Sequence, residues 1–358
     1  LWFIFSPKPD YSSSEKRYLQ KFPEVTAEKL LSGDFGSEFE TFFADRFPQR
    51  NTWVGLNAYT ALAEGNNGAS GVYNCKNGYL INKPVSTENN LDKNIGAVAD
   101  FAKSIGTPTT VMLVPSTGYI VDDVLPTFHD KYNDDEDISK ISSTLSKDKI
   151  GFVDLRERFK SEYKNGSQIY YKTDHHWTTK GAYTGYQELC KALGITPIDD
   201  STLKKDSYPD FYGTTYSSSG FWLTPPDNIE IWNNPKNSDR NISVKITEGA
   251  NIKTSGSMYF TDHLKEDDKY PVFIDGNHAL TEITNTNAKN GTILLIKDSF
   301  SHSLAPFLAE NYSKVVLVDL RYYKESVSDL VTTYNPEQVV VLYGIDNLAT
   351  DTDIVWLK

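Results

Sequence analysis

The stretch "TDHHWT" (residues 173–178) sets one carboxylate beside two of the chain's six imidazoles, with a tryptophan behind them. Those groups are the parts of a proton relay or of a metal site. In an extended segment alternate residues share a face, so Asp174 and His176 fall together while His175 points the other way. Asp174 then holds one ring nitrogen of His176 and leaves the other for a hydroxyl, as a serine nucleophile requires. In the competing arrangement Asp174, His175 and His176 converge on a zinc or iron ion. Adjacent histidines seldom do so, and His129, His263, His278 and His302 offer no HxH or HxxxH spacing to complete such a site. A purely structural role is the third reading.

A nucleophile is available at "IKDSFSHS", where Ser299 stands between a buried apolar run and a helix. At such a junction the hydroxyl attacks while the adjacent amide N–H helps to hold an oxyanion. The alternative is that Ser299 only caps the following helix. No G-x-S-x-G elbow occurs in the chain.

Something must bring these residues together. Five short apolar runs, "TTVMLVP" (109–115), "IGFVDL" (150–155), "TILLIKDSF" (292–300), "KVVLVDL" (314–320) and "QVVVLYG" (338–344), alternate with helical stretches. The helical stretches include "LDKNIGAVADFAKSIG", "ISKISSTLSKDK" and "TTKGAYTGYQELCKALG", the last ending at Gly194, a natural helix terminator. This alternation predicts a parallel sheet covered by helices on both faces, with ligands at the carboxyl ends of its strands. Ser116 and Thr117, Asp298 to Phe300, Arg321 to Tyr323, and Tyr343 and Gly344 then lie along one rim. Residues 200–290 are rich in Asn, Asp, Ser, Gly and aromatics without helical rhythm, and read as an irregular or β-rich insertion. Its "PDFYGTTYSSSGFW" offers aromatic and hydroxyl groups suited to a glycan groove. Asn77–Gly78 predicts a hairpin over 73–82, and the phenylalanines of 34–50 an amphipathic helix docked on the body.

With 39% hydrophobic residues the chain of 358 has a sizeable core. A net charge of −12 without a basic run excludes nucleic acid as a partner. Twenty-two tyrosines hint at a carbohydrate ligand, and Cys75 and Cys190 form no metal or redox motif. "LWFIF" followed by "SPKPDYSSSEKRYLQ" reads either as a short buried start or as the trimmed end of a membrane anchor followed by a stalk.

"TDHHWT" upstream with "KDSF" near the C-terminus resembles the DHHW family of the SGNH-hydrolase superfamily, similar to the proteins that O-acetylate alginate outside the bacterial cell. "FFADRFPQR" resembles the family's early Asp-x-Phe-Pro-x-Arg element, here Asp45, Phe47, Pro48 and Arg50. "NGYLI" and "LVPST" resemble the pieces that follow it, so the likeness spans most of 34–345. It implies an α/β fold with an SGNH-hydrolase-like parallel sheet, an insertion around 200–290, and a catalytic domain over 34–358 behind an extracellular stalk at 1–33. It implies a catalytic Ser299, His176 and Asp174, with Arg321 and Tyr343 lining the same pocket on the substrate and oxyanion side. His175 stands where the alginate proteins carry another residue; it is expected to pack against or bond the insertion and to reach substrate. The implied function is an extracytoplasmic polysaccharide O-acetyltransferase or acetylesterase working through an acyl-serine, without metal or other cofactor. Its implied partners are a polysaccharide and an acetyl donor delivered by a membrane acyltransferase, with the chain anchored at the outer face of the cell membrane. The alternatives are a polysaccharide-binding protein with a vestigial triad and a metal-dependent hydrolase using the Asp-His-His cluster.

Overall fold

The computed structural model describes residues 10–12, 17–85 and 90–357. Eight strands make the main sheet: β1 (Thr109–Val114), β2 (Gly151–Asp154), β3 (Ile242–Glu248), β4 (Asn251–Ser255), β5 (Leu280–Asn285), β6 (Asn290–Lys297), β7 (Tyr312–Val318) and β8 (Gln338–Gly344). Their spatial order is β4-β3-β5-β7-β6-β8-β1-β2. The five apolar runs are β7, β6, β8, β1 and β2, and each neighbouring pair among them is parallel.

The four inner runs are apolar throughout because both faces are covered, whereas β2, at the sheet edge, buries only Val153. Along β6, Ile293 and Leu295 enter one core cluster while Leu294 and Ile296 enter another on the opposite face. Helices Thr179–Leu193 and Ser301–Leu308 close the first face through Tyr186, Leu189, Leu304 and Phe307. Helices Leu91–Ile105, Asp134–Lys147 and Val327–Tyr334 close the second. The fold is therefore α/β, a largely parallel sheet flanked by helices on both faces.

Residues 200–290 are β-rich, and part of them belongs to the sheet itself. β5 pairs antiparallel with β7, β3 with β5, and β4 with β3, which extends the parallel core by three strands. In β3 the inward Ile242, Val244 and Ile246 alternate with outward Ser243, Lys245 and Thr247, the period of a half-buried strand. β4 forms the exposed edge, where Lys253 folds back to pair with Asp275 at 2.6 Å. The rest of the stretch forms a hairpin, Lys204–Phe211 with Asp227–Asn233, and a short helix, Thr214–Ser219.

The predicted hairpin joins Val72–Asn74 to Leu80–Asn82, with Asn77 and Gly78 both at positive φ. The helical reading of 34–50 resolves into Asp34–Asp45, followed by Arg50–Ala63. Phe42 is buried there, but Phe39 and Phe43 remain 38% and 42% exposed, so the helix docks by a narrower face than its sequence suggests. The "LWFIF" start lies outside the described residues, and of the stalk expected over 1–33 the described part holds a short strand pair and helix Ala27–Ser32. Among the described residues no helix is long and apolar enough to cross a membrane.

Candidate active site

The chain leaves the central strand β6 at Lys297 and turns through Asp298, Ser299 and Phe300 into helix Ser301–Leu308. Asp298 is the clamp of this turn. Its Oδ1 accepts the Phe300 N–H at 2.9 Å, and its Oδ2 accepts the Gly344 N–H and the Asn347 amide, both at 2.7 Å. The turn is thereby pinned to the end of β8. Burial pushes the Asp298 carboxyl upward and these donors pull it back, with a net rise. No side chain caps the following helix; the Ser299 hydroxyl instead lies 2.7 Å from His176 Nε2. The Ser299 N–H meets no acceptor among the described residues.

His176 reaches Ser299 because its loop is bent. Tyr171 N–H donates to the His176 carbonyl at 3.2 Å, and Tyr170 bridges Trp177. The buried Trp177 indole N–H lies 3.1 Å from the Phe300 carbonyl and 2.9 Å from Ser303 Oγ, which ties the histidine loop to the serine turn. Thr178 then caps helix Thr179–Leu193 by accepting the Gly181 N–H.

Asp174, 1% exposed, completes the chain of contacts. Its Oδ1 accepts from His176 Nδ1 at 2.5 Å and from the His176 backbone N–H at 2.8 Å. Its Oδ2 accepts the Thr214 N–H at 2.7 Å and faces Thr214 Oγ1 at 3.2 Å. Gly213 makes this approach possible: a Cβ there would stand 2.1 Å from Asp174 Cβ and 2.3 Å from Oδ2. The imidazole of His176 is held flat by the Tyr270 ring, 3.9 Å away and 11° from parallel. The Tyr270 hydroxyl donates to the Ser299 carbonyl at 3.1 Å, so one side chain steadies both partners.

The structure therefore brings Asp174, His176 and Ser299 into one hydrogen-bonded line. His175 bonds the 200–290 stretch as expected, its Nδ1 lying 2.6 Å from Thr214 Oγ1. It does not point away from His176: the two rings are 3.8 Å apart, because strand alternation does not apply to a bent loop. Asp174, His175 and His176 present possible ligand atoms within 4.8 Å of one another, so the cluster has the composition of a metal site. Two features weigh against that use: Asp174 already accepts N–H donors on both oxygens, and His176 directs Nε2 at Ser299.

Arg321 follows β7, where its guanidinium grips Asp319 at 2.9 and 2.7 Å and reaches Asn277 Oδ1 at 2.9 Å. Asp319 also accepts from the buried Lys297, whose Nζ lies 2.8 Å from His302 Nε2. Burial, then the Lys297 charge, drives the His302 pKa well down, so this imidazole is neutral behind the serine turn. Tyr343 is a correction. Its ring is 2% exposed and packs in the second core cluster with Val339 and Val341, the side of β8 set by strand parity, so it lines no pocket with Ser299.

Five contributors escaped sequence reasoning in these roles: Asp298 as clamp, Asn347, Gly213, Thr214 and Tyr270. Asp298 adjoins the serine in "KDSF", a usable signal, whereas "YGTT" and "DKYPVF" carry nothing local that marks Gly213, Thr214 or Tyr270.

Comparison with known proteins places the chain. The family model described as DHHW protein matches residues 85–318, well over half of its length. No curated protein matches. Among solved structures, a DHHW family protein from Eubacterium siraeum aligns with a TM-score of 0.67 at 18% identity, covering 81% of this chain and 97% of that one. Bacillus cereus PatB1 carrying a sulfonyl adduct aligns with a TM-score of 0.65 at 20% identity, over 79% and 97%. The O-acetyltransferase domain of Pseudomonas putida AlgJ aligns with a TM-score of 0.52 at 15% identity, over 80% and 95%. These likenesses carry the fold, and the family match carries the membership: the chain belongs to the DHHW protein family.

Proposed function

We infer that this protein is an acyl-transfer enzyme, a polysaccharide O-acetyltransferase or acetylesterase that works through an acyl group on Ser299. The observation that carries the reading is the unbroken line from Asp174 Oδ1 through His176 to Ser299 Oγ, with contacts of 2.5 and 2.7 Å. His176 Nε2 takes the hydroxyl proton as Oγ attacks the acyl carbonyl, and Asp174 steadies the imidazolium that forms. The unengaged Ser299 N–H is a donor for the oxyanion. The bond to the leaving oxygen breaks as His176 returns the proton to it. In the second half, water or a sugar hydroxyl gives its proton to His176 and attacks the acyl carbonyl; the bond to Ser299 Oγ breaks as His176 returns that proton to it, which frees Ser299.

The fold likeness to an O-acetyltransferase domain supports a hydroxyl other than water as acceptor, and the resemblance to the alginate O-acetylation proteins makes that hydroxyl a sugar's. Within this reading 34–358 is the catalytic domain, the polysaccharide is met outside the cell membrane, and a membrane acyltransferase supplies the acetyl group. Arg321, its guanidinium held by Asp319, serves the substrate and oxyanion side in this reading.

The test is incubation with a chromogenic acetyl ester and, separately, with bare and acetylated glycans read by mass spectrometry. Turnover that survives EDTA and disappears in Ser299→Ala and His176→Ala is the expected result. Loss of turnover in EDTA, with Ser299→Ala still active, instead favours a metal on the Asp174–His175–His176 cluster. Glycan binding without turnover of any ester favours a binding protein.

A further inference from the structure

The segment 270–278 touches the site at both of its ends. Tyr270 lies flat on His176 and donates to the Ser299 carbonyl at 3.1 Å, and Asn277 Oδ1 accepts from Arg321 at 2.9 Å. Between them the backbone passes through three consecutive residues at positive φ, Ile274 (50°), Asp275 (66°) and Gly276 (85°). Glycine takes that conformation freely, but a β-branched isoleucine does not, so surrounding contacts must impose it. Burial of the Ile274 side chain fixes one side of the turn. Asp275 fixes the other.

Three side chains converge on the Asp275 carboxylate. His263 Nε2 lies 2.9 Å from Oδ1, and Lys253 Nζ lies 2.6 Å from Oδ2. His278 Nε2 lies 3.3 Å from Oδ2 and 3.0 Å from the Asp275 carbonyl. Each imidazole has a further partner on its other nitrogen: His263 Nδ1 is 2.8 Å from Glu266 Oε2, and His278 Nδ1 is 2.9 Å from Glu248 Oε1. Glu248 ends β3 and Lys253 belongs to β4, so this knot fastens the segment to the sheet edge. Every partner of the two rings is an oxygen acceptor. A neutral imidazole carries a single N–H, so each ring completes its bonds only as an imidazolium. Burial pushes the His263 pKa down, but Glu266 and Asp275 outweigh it and the net direction is up. Its paired, protonated form therefore persists below that raised value and is lost as pH climbs through it. Asp262 and Lys265, on the same turn as His263, pair with each other at 2.8 Å, and His278 also acts on the neutral His302.

We propose that Asp275 is a positioning residue for the reaction: held by Lys253 and the protonated His263 and His278, it locks the 274–276 turn, and the turn sets Tyr270 against His176 and Asn277 against Arg321. The inference rests on the acyl-serine reading and adds to it a control that lies outside the triad. When His263 loses a proton, one of its nitrogens faces a carboxylate without a hydrogen between them. The knot loosens and the site loses alignment. Activity then falls on the alkaline side, where a serine–histidine pair alone holds a plateau once His176 is neutral.

The experiment follows kcat for 4-nitrophenyl acetate from about pH 5 to about pH 9, with spontaneous hydrolysis subtracted and the fold checked by circular dichroism at each pH. Wild type should pass through a maximum and lose about threefold or more by the alkaline end. Glu266→Gln, at an exposed position, takes one carboxylate from His263 and should move the falling limb to lower pH while the rising limb stays in place. Asp275→Asn should cost about tenfold in kcat near the maximum and flatten the falling limb. A merely structural role would lower the melting temperature of these variants without moving the limb. Glu266→Gln keeps the test decisive if Asp275→Asn folds poorly. A wild-type rate that stays level to the alkaline end, or a falling limb that neither variant moves while Ser299 stays essential, overturns the knot and leaves the acyl-serine reading standing. No ester turnover at all defeats that reading, and this inference with it.

Discussion

Gly213→Ala is the most revealing single substitution, because it adds one methyl group far from the serine and should silence the site. The new Cβ would lie 2.1 Å from Asp174 Cβ, 2.5 Å from Cγ and 2.3 Å from Oδ2. Carbon atoms rest about 3.5–4.0 Å apart, so either Asp174 or the 213–214 backbone must retreat by more than about 1 Å. Retreat breaks the two Thr214 contacts at 2.7 and 3.2 Å and swings Oδ1 away from His176 Nδ1. A misplacement of about 1 Å costs on the order of 10²-fold in rate, and loss of the acid's control of the imidazole about 10⁴-fold, so kcat should fall between those limits. Overpacking of this kind costs about 1–3 kcal/mol of stability, which leaves the protein folded at room temperature. The assay is acetyl-ester turnover beside circular dichroism and thermal melting. Thr214→Val is the graded companion: it keeps the backbone donor and removes only the hydroxyl, for a loss of about fivefold, near 1 kcal/mol. A folded Gly213→Ala enzyme within about threefold of wild-type kcat would refute the claim that Asp174 works from the position described.

Further outcomes follow from the same contacts. Tyr270→Phe keeps the ring that lies on His176 and loses the bond to the Ser299 carbonyl and the longer contact with Ser303 Oγ, so kcat should stay within about fivefold. Tyr270→Leu removes the flat support, and kcat should drop about 10- to 100-fold with KM little changed; equal activity of the two variants would show that the stack does not matter. Burial, with Asp134 adding to it, pushes Asp346 up to about 7, and burial pushes Asp134 up to about 6. Both values exceed the unfolded one of about 4, so their contribution to stability is full below pH ~4 and is lost as pH rises through about 6 to 7. Asp346→Asn should therefore gain roughly 1–2 kcal/mol over wild type at pH 8 and little at pH 4, read by urea unfolding; a gain independent of pH would contradict that assignment.

Much of the architecture was open to reading. β-branched runs such as "VVLV" and "QVVVL" have no stable home except a sheet covered on both faces, and the helices between them carry the matching apolar faces. The serine at the end of "TILLIK" was visible because a strand end fixes where a side chain is presented, and the "DHHW" pair because an acid and two imidazoles stand together in the sequence. Loop geometry was not open to the same reading. His175 was assigned a direction from strand alternation, but the Tyr171–His176 and Tyr170–Trp177 pairings fold that loop back on itself. Tyr343 illustrates the reverse: its parity with Val339 and Val341 already set its face, and the family resemblance drew attention away from it. Gly213, Thr214 and Tyr270 act through space across the 200–290 stretch, and no periodicity in "YGTT" or "DKYP" registers a partner 39 to 94 residues away. The alternating "ISVKITE" did mark a strand, but its attachment to the sheet edge depends on pairing with β5.

The central claim is that Ser299 is a nucleophile activated by His176. It is met most directly by treating the protein with a sulfonyl fluoride and mapping the adduct by peptide mass spectrometry. One adduct on the peptide containing Ser299 is predicted, absent in Ser299→Ala and formed far more slowly in His176→Ala. An unlabelled Ser299 peptide in active protein, or equal labelling of the His176→Ala variant, would contradict it.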